Sequence, residues 1–119
     1  MKEQILHYEY KLAFEIDAAD LFQALNEGKN IVVIDARSKE GYEAEHIPGA
    51  ISFPHRTMNE ETVRGLNKEF LYVTYCDGIG CNASTKGALK MATLGFKVKE
   101  LMGGLDWWRS EERRVGKEC

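Results

Sequence analysis

A chain of 119 residues, 44% hydrophobic and 29% charged, has the apolar content for one domain with a single core and not the length for two. Its net charge of −3 is spread without a lysine and arginine cluster before residue 109, which argues against nucleic acid as a partner. No stretch approaches the roughly 18 apolar residues of a membrane span. The opening MKEQILHYEY has no signal-peptide apolar run, so the expectation is a soluble, cytoplasmic protein with no membrane partner. Three cysteines do not make a disulfide framework in a chain this long, and they read as reactive thiols.

Strand and helix signals alternate along the chain. Tyr10 to Ile16 alternates well enough for a first strand, and Asp17 sits where an N-cap belongs before a helix with Ala18, Leu21, Phe22 and Leu25 on one face. Gly28 is its C-terminal stop. The β-branched run Ile31 to Ile34 suits a strand buried on both sides, and it ends in Asp35-Ala36-Arg37. Ser38 caps a short helix reaching Tyr42 and Glu45, after which His46-Ile47-Pro48-Gly49-Ala50 turns the chain into a brief strand, Ala50 to Phe53, closed by Pro54. A helix from about Asn59 to Leu66 is expected, then a strand from Leu71 to Tyr75, a helix from Asn82 to Leu94 closed by Gly95, and a strand from Val98 to Met102. Gly103-Gly104 starts a last helix, Leu105 to Trp108.

This alternation predicts an α/β fold with a parallel sheet covered on both faces, and in such sheets function lies at the carboxyl ends of the strands. The domain is expected to span residues 1–108. The remainder, RSEERRVGKEC at 109–119, departs sharply in composition, with seven charges in eleven residues. It reads as the in-frame translation of a common sequencing adapter, a non-native tail that interrupts the last helix and deprives Cys119 of any role.

Cys76 is the strongest candidate for chemistry. It follows an apolar strand, precedes a loop bearing Gly78 and Gly80, and stands before a helix. That arrangement offers backbone N–H groups and a helix dipole to an anion, and lowers a thiol below its free value of about 8.5. The loop residues Asp77, Gly78, Ile79, Gly80, Cys81 and Asn82 are the expected substrate-binding set. Cys81 reads either as a small packing residue or as a resolving thiol, which would attack a Cys76 persulfide or sulfenate and leave a Cys76–Cys81 disulfide. The spacing is not C-x-x-C, and the second ligand pair that zinc requires is missing, so neither a metal nor a cofactor is expected.

Asp35-Ala36-Arg37, His46 to Ala50, the strand ending in Tyr75-Cys76, Leu94-Gly95-Phe96 and Gly103 to Trp108 together resemble a single rhodanese homology domain, over nearly everything from Ile16 to Trp108. The resemblance implies a three-layer α/β/α fold with a central parallel five-stranded sheet. It also implies a sulfurtransferase whose loop cysteine, Cys76, carries sulfane sulfur as a persulfide between a small donor and a thiol or protein acceptor. A subgroup of such domains is similar in having a second loop cysteine. Family members continue past the tryptophan, so the natural C-terminus is expected to differ from the one here.

The loop departs from the catalytic pattern C-x-x-G-x-R-S. It lacks arginine and lysine, and Asp77 adds a carboxylate without a compensating cation, which disfavours thiosulfate as donor. Lys86, in the first turn of the following helix, and Arg56, on condition that it folds toward the site, are the candidate cations to offset it, and both also read as solvated side chains. Cell-cycle phosphatases share the fold but need C-x5-R, and the sixth position after Cys76 is Asn82. A two-cysteine arsenate or disulfide reductase and a non-catalytic, redox-sensing module remain as alternatives. Asp35 and Arg37 read as an ion pair under the site, and His46 as a hydrogen-bonded structural residue with His55 similar. Met91, Met102, Trp107 and Trp108 read as packing, with an aromatic at the pocket mouth as the other option.

Overall fold

The apolar runs marked as buried strands lie side by side in the computed structural model, which describes residues 1–111. The chain order is α1 (Lys2–Phe14), β1 (Glu15–Ile16), α2 (Ala18–Asn26), β2 (Ile31–Asp35), α3 (Lys39–Ala44), β3 (Ile51–Ser52), a 3-10 turn at His55–Thr57, β4 (Leu71–Tyr75), α4 (Ala83–Thr93), β5 (Lys97–Leu101) and α5 (Gly104–Ser110). All strand pairs are parallel, in the order β1-β5-β4-β2-β3. β2 and β4 pair along their whole length, from Ile31 opposite Leu71 to Asp35 opposite Tyr75.

Alternate side chains build two cores on the two faces of this sheet. Val33, Val73, Tyr75 and Leu101 pack with Ala18 and Leu21 of α2 and Leu105 and Trp108 of α5. Ile34 and Tyr72 pack on the other face with Met91 of α4 and with Met58 and Val63. The result is the expected three-layer α/β/α arrangement.

Caps fall where the sequence places them. Asp17 Oδ1 accepts the Asp20 N–H at 2.7 Å, and Ser38 Oγ accepts that of Gly41 at 3.3 Å. β5 begins and ends one residue earlier than expected.

Three expectations are corrected. Tyr10 to Phe14 is helical and belongs to α1, leaving only Glu15 and Ile16 as strand. Alternation fitted Tyr10, Leu12 and Phe14, but Lys11, Leu12 and Ala13 are good helix formers. In the helix Tyr10 stacks on Phe14 at 5.9 Å and Lys11 pairs with Glu15 at 3.0 Å, while the sheet edge offers pairing only at Glu15 and Ile16. No helix forms from Asn59 to Leu66. There Asn59 Oδ1 accepts the N–H groups of Glu61 and Thr62, and Thr62 Oγ1 donates to the Thr57 carbonyl, so side chains take the bonds a helix would need. Finally, α5 runs on through Arg109 and Ser110, and Arg109 forms ion pairs with Glu45 and Asp106. The rest of the expected tail, with Cys119, lies outside the described residues.

Leu21 is fully buried whereas Leu89 on α4 is 68% exposed. Leu21→Ala should lower unfolding free energy by about 2–5 kcal/mol, and Leu89→Ala should change it by less than about 0.5 kcal/mol. Urea denaturation of the two variants gives the comparison, and equal effects would contradict this placement of the core.

Candidate active site

The connection after β2 leads outward to β3, and the one after β4 leads the opposite way to β5. The carboxyl ends of β2 and β4 therefore flank the point where the winding reverses, which opens a crevice in sheets of this kind. Full-length pairing of the two strands carries on past their ends, since Ala36 donates its N–H to the Tyr75 carbonyl at 3.1 Å. Arg37 and the segment Cys76-Asp77 are thereby set beside each other.

The floor of the crevice is a buried carboxylate with its donors. Asp35 is fully buried and accepts from the Arg37 backbone N–H (3.0 Å), Arg37 Nε (3.0 Å) and Arg37 Nη2 (2.7 Å), as well as from the Tyr75 hydroxyl (3.0 Å). The Tyr75 hydroxyl oxygen in turn accepts the Ile47 N–H at 3.1 Å, which ties the His46 to Ala50 turn to the floor. Burial, reinforced by Asp35, raises the Tyr75 phenol well above its ordinary value, so it stays a donor. Burial works against charge on Arg37, but hydrogen bonds to Asp35 and Asp77 outweigh it and hold the guanidinium protonated.

Arg37 does more than the expected support role. Its Nη1 reaches Asp77 Oδ1 in the cysteine loop at 2.8 Å, while its Nη2 donates to the carbonyls of Gly41 and Glu45. The carboxylate read from sequence as uncompensated thus has a cation, supplied by a residue forty positions away.

Cys76 and Cys81 form a disulfide, with Cα atoms 6.3 Å apart. Cys76 is 2% exposed and Cys81 is half-buried. Between them the loop turns through a Cys81 N–H to Gly78 carbonyl bond, with Gly80 at φ +97°. The loop rests on α5, whose Leu105 and Asp106 N–H groups donate to the carbonyls of Cys76 (2.9 Å) and Asp77 (2.8 Å). Gly104 makes this approach possible: at φ +57°, a Cβ there would lie 2.4 Å from the Cys76 carbonyl oxygen. The Gly103-Gly104 turn is therefore a brace beneath the loop. Trp108 is buried in the core and Trp107 is 54% exposed.

Two clefts flank the disulfide. One, of about 480 Å³, has Cys76, Asp77 and Cys81 on one wall and Arg37, Lys39, His55 and Arg56 around it. The other, of about 170 Å³, meets the same cysteines beside Glu15 and Glu100. Gly78, Ile79 and Gly80 border the second cleft, Ile79 being 97% exposed at the loop tip, and Asn82 borders neither. Of the two cations weighed from sequence, Arg56 reaches the larger cleft and Lys86 does not line it. Lys39 went unnoticed in the sequence, although the Ser38 cap directly after a strand end could have marked it. His46 is away from both clefts, stacked on Tyr42 at 3.8 Å with its Nδ1 2.8 Å from the Tyr42 carbonyl.

Among the described residues, Cys76, Asp77 and Cys81 bring three potential metal-ligand atoms within 4.8 Å of one another. In the disulfide the sulfurs are not thiolates, and Arg37 already engages the carboxylate.

Gly104→Ala should displace the loop and cost more than about 1 kcal/mol, from left-handed strain alone before the clash is added. Gly65→Ala, which meets nothing within 4 Å, should not. Melting curves of the pair decide this, and an unshifted Gly104→Ala protein would refute the brace.

His55 titrates below its usual 6.5 because of burial and then the charges of Lys86, Lys90 and Arg56. Below that pH the unfolded chain takes up the proton first, so stability falls until the folded ring protonates as well. Lys86→Gln should raise the His55 value in an NMR titration, and an unchanged midpoint would exclude Lys86 as a cause.

The rhodanese-like domain family model matches residues 18–111. The crystal structure of the BH2092 protein from Bacillus halodurans superposes with a TM-score of 0.91 at 46% identity, over 98% of this chain and 85% of that one. The thiosulfate sulfurtransferase GlpE of Coxiella burnetii is 30% identical over 103 residues, 85% of this chain and 89% of that protein. The HTH-type transcriptional regulator Rv0324 of Mycobacterium tuberculosis is 31% identical over 94 residues, and there the chain spans 41% of the regulator's length. No helix among the described residues is long and apolar enough to cross a membrane. With the motifs at the ends of β2 and β4 in place and the match running from α2 through α5, the chain belongs to the rhodanese-like domain family.

Proposed function

We propose that the reduced protein is a cytoplasmic sulfurtransferase that moves sulfane sulfur through a persulfide on Cys76, from a small anionic donor to a thiol or protein acceptor. The observation that carries this reading is the seat of Cys76, at the end of a central strand and on the wall of a cleft bordered by Lys39 and Arg56. The Cys76 thiolate attacks the outer sulfur of the donor, and the remainder of the donor departs as an anion with the electron pair. An acceptor thiolate then attacks the outer sulfur of the persulfide, and Cys76 is released as thiolate.

Donor, persulfide and departing group are all anionic, and the lysine and arginine attract them to the cleft. Arg37 pairs with Asp77 while also serving Asp35, so it offsets that carboxylate only in part, and Lys39 and Arg56 supply the positive charge that makes a thiosulfate-type dianion an acceptable donor. The thiosulfate sulfurtransferase named among the relatives supports the same direction.

The Cys76–Cys81 disulfide favours a second reading, a two-cysteine reductase of arsenate or of disulfides. Mass spectrometry separates the two. Reduced protein exposed to thiosulfate should acquire one sulfur atom, retained or passed on, with one sulfite released per chain, and Cys76→Ser should do neither. If sulfur never arrives but arsenate yields the disulfide, the second reading replaces the first.

A further inference from the structure

Building on the Cys76 persulfide, we propose that Cys81 gives the loop a reductive exit, by which the carried sulfur leaves as hydrosulfide and the protein acts as a sulfane-sulfur reductase. The two sulfurs bond across a loop of only four intervening residues, and that loop is closed by its own Cys81 to Gly78 turn and fastened to α5 by two backbone hydrogen bonds. The bonded state is thus an accommodated state of this loop, within the fold and not at its expense. Cys81 stands on the wall of the same cleft as Cys76, so a persulfide formed there has an internal thiol in reach as well as an external acceptor.

In this step the Cys81 thiolate attacks the inner sulfur, Cys76 Sγ. The new bond joins Cys81 Sγ to Cys76 Sγ, and the bond from Cys76 Sγ to the outer sulfur breaks. Its electron pair goes with the outer sulfur, which takes up the proton lost from Cys81 and departs as hydrosulfide. The carried sulfur is reduced from the sulfane to the sulfide level while the two cysteines are oxidised to the disulfide, so electrons balance within the loop. A dithiol then reduces Cys76–Cys81, becoming a disulfide itself and restoring both thiols.

The covering of Cys76 in the bonded state adds a consequence. At 2% exposure, with its sulfur already bonded, it cannot accept sulfur again until the dithiol has acted. Each turnover therefore consumes one dithiol, whereas simple transfer through Cys76 consumes none.

The test is a single turnover of reduced, desalted protein with no free thiol, using thiosulfate and, in parallel, an alkanethiosulfonate. Wild type should release one sulfite or sulfinate and one hydrosulfide per chain, and finish two hydrogen atoms lighter than it began. Cys81→Ser, whose melting curve shows that it folds, should yield no hydrosulfide at whatever rate it takes up sulfur, and should finish one sulfur atom heavier for each sulfite or sulfinate released. If wild type instead finishes one sulfur heavier without hydrosulfide, the reductive exit is overturned and the transferase reading stands. If neither donor gives up sulfite or sulfinate, both fail together.

Discussion

Asp35 sets the terms for the rest of the site. A carboxylate with no solvent exposure must be met by donors or it would disfavour folding by several kcal/mol. The donors come from its own turn, from Arg37, and from the phenol of Tyr75 on the neighbouring strand. Each of them is in turn held by something else. Tyr75 takes the Ile47 N–H, and Arg37 spans to the carbonyl of Gly41 within α3, to that of Glu45 just after it, and to Asp77. Satisfying one buried charge therefore joins the ends of β2 and β4, the turn after α3 and the cysteine loop. The outermost link, between Arg37 and the largely exposed Asp77, is the weakest energetically, since water screens it. Its importance lies in the positive charge it brings beside Cys76, which offsets part of the Asp77 charge.

Much of this fold was legible because its signals are local. The runs at Ile31 and Leu71 could be read as buried strands from composition alone, and Asp17, Ser38, Gly28 and Gly95 act within a few residues of where they stand. The misreadings occur where two local patterns compete. Tyr10 to Phe14 satisfies both alternation and helical spacing, and the short pairing available at the sheet edge decided for the helix. Asn59 and Thr62 lie at helix-like spacing but spend their side chains on the backbone.

The site was legible in its parts and not in its electrostatics. Cys76, Cys81 and the Asp35 and Arg37 pair stand where sequence put them, yet the partner of Asp77 was hidden because Arg37 precedes it by forty residues. No window along the chain contains both. The same holds for the brace under the loop: Gly103-Gly104 announces a turn, but that Leu105 and Asp106 would donate to the Cys76 and Asp77 carbonyls follows only from packing α5 against β4.

The two sides of the disulfide differ in charge, and this bears on the direction of the chemistry. Lys39 and Arg56 border the larger cleft, whereas Glu15 and Glu100 border the smaller, with Glu100 fixed by the hydroxyls of Ser84 and Thr85. Anions are drawn to the first side and repelled from the second. Under the proposed chemistry the sulfane donor, the sulfite-like group it leaves and a departing hydrosulfide would all carry negative charge, and the cationic cleft would serve entry and exit alike. The carboxylates behind the loop keep the cysteines from being approached by anions from the rear. Arg37, shared between Asp35 and Asp77, offsets the loop carboxylate only in part, so the sign of the front wall rests on Lys39 and Arg56, which lie outside the loop. That is why the loop sequence alone, acidic and without a basic residue, misrepresents the cleft it borders.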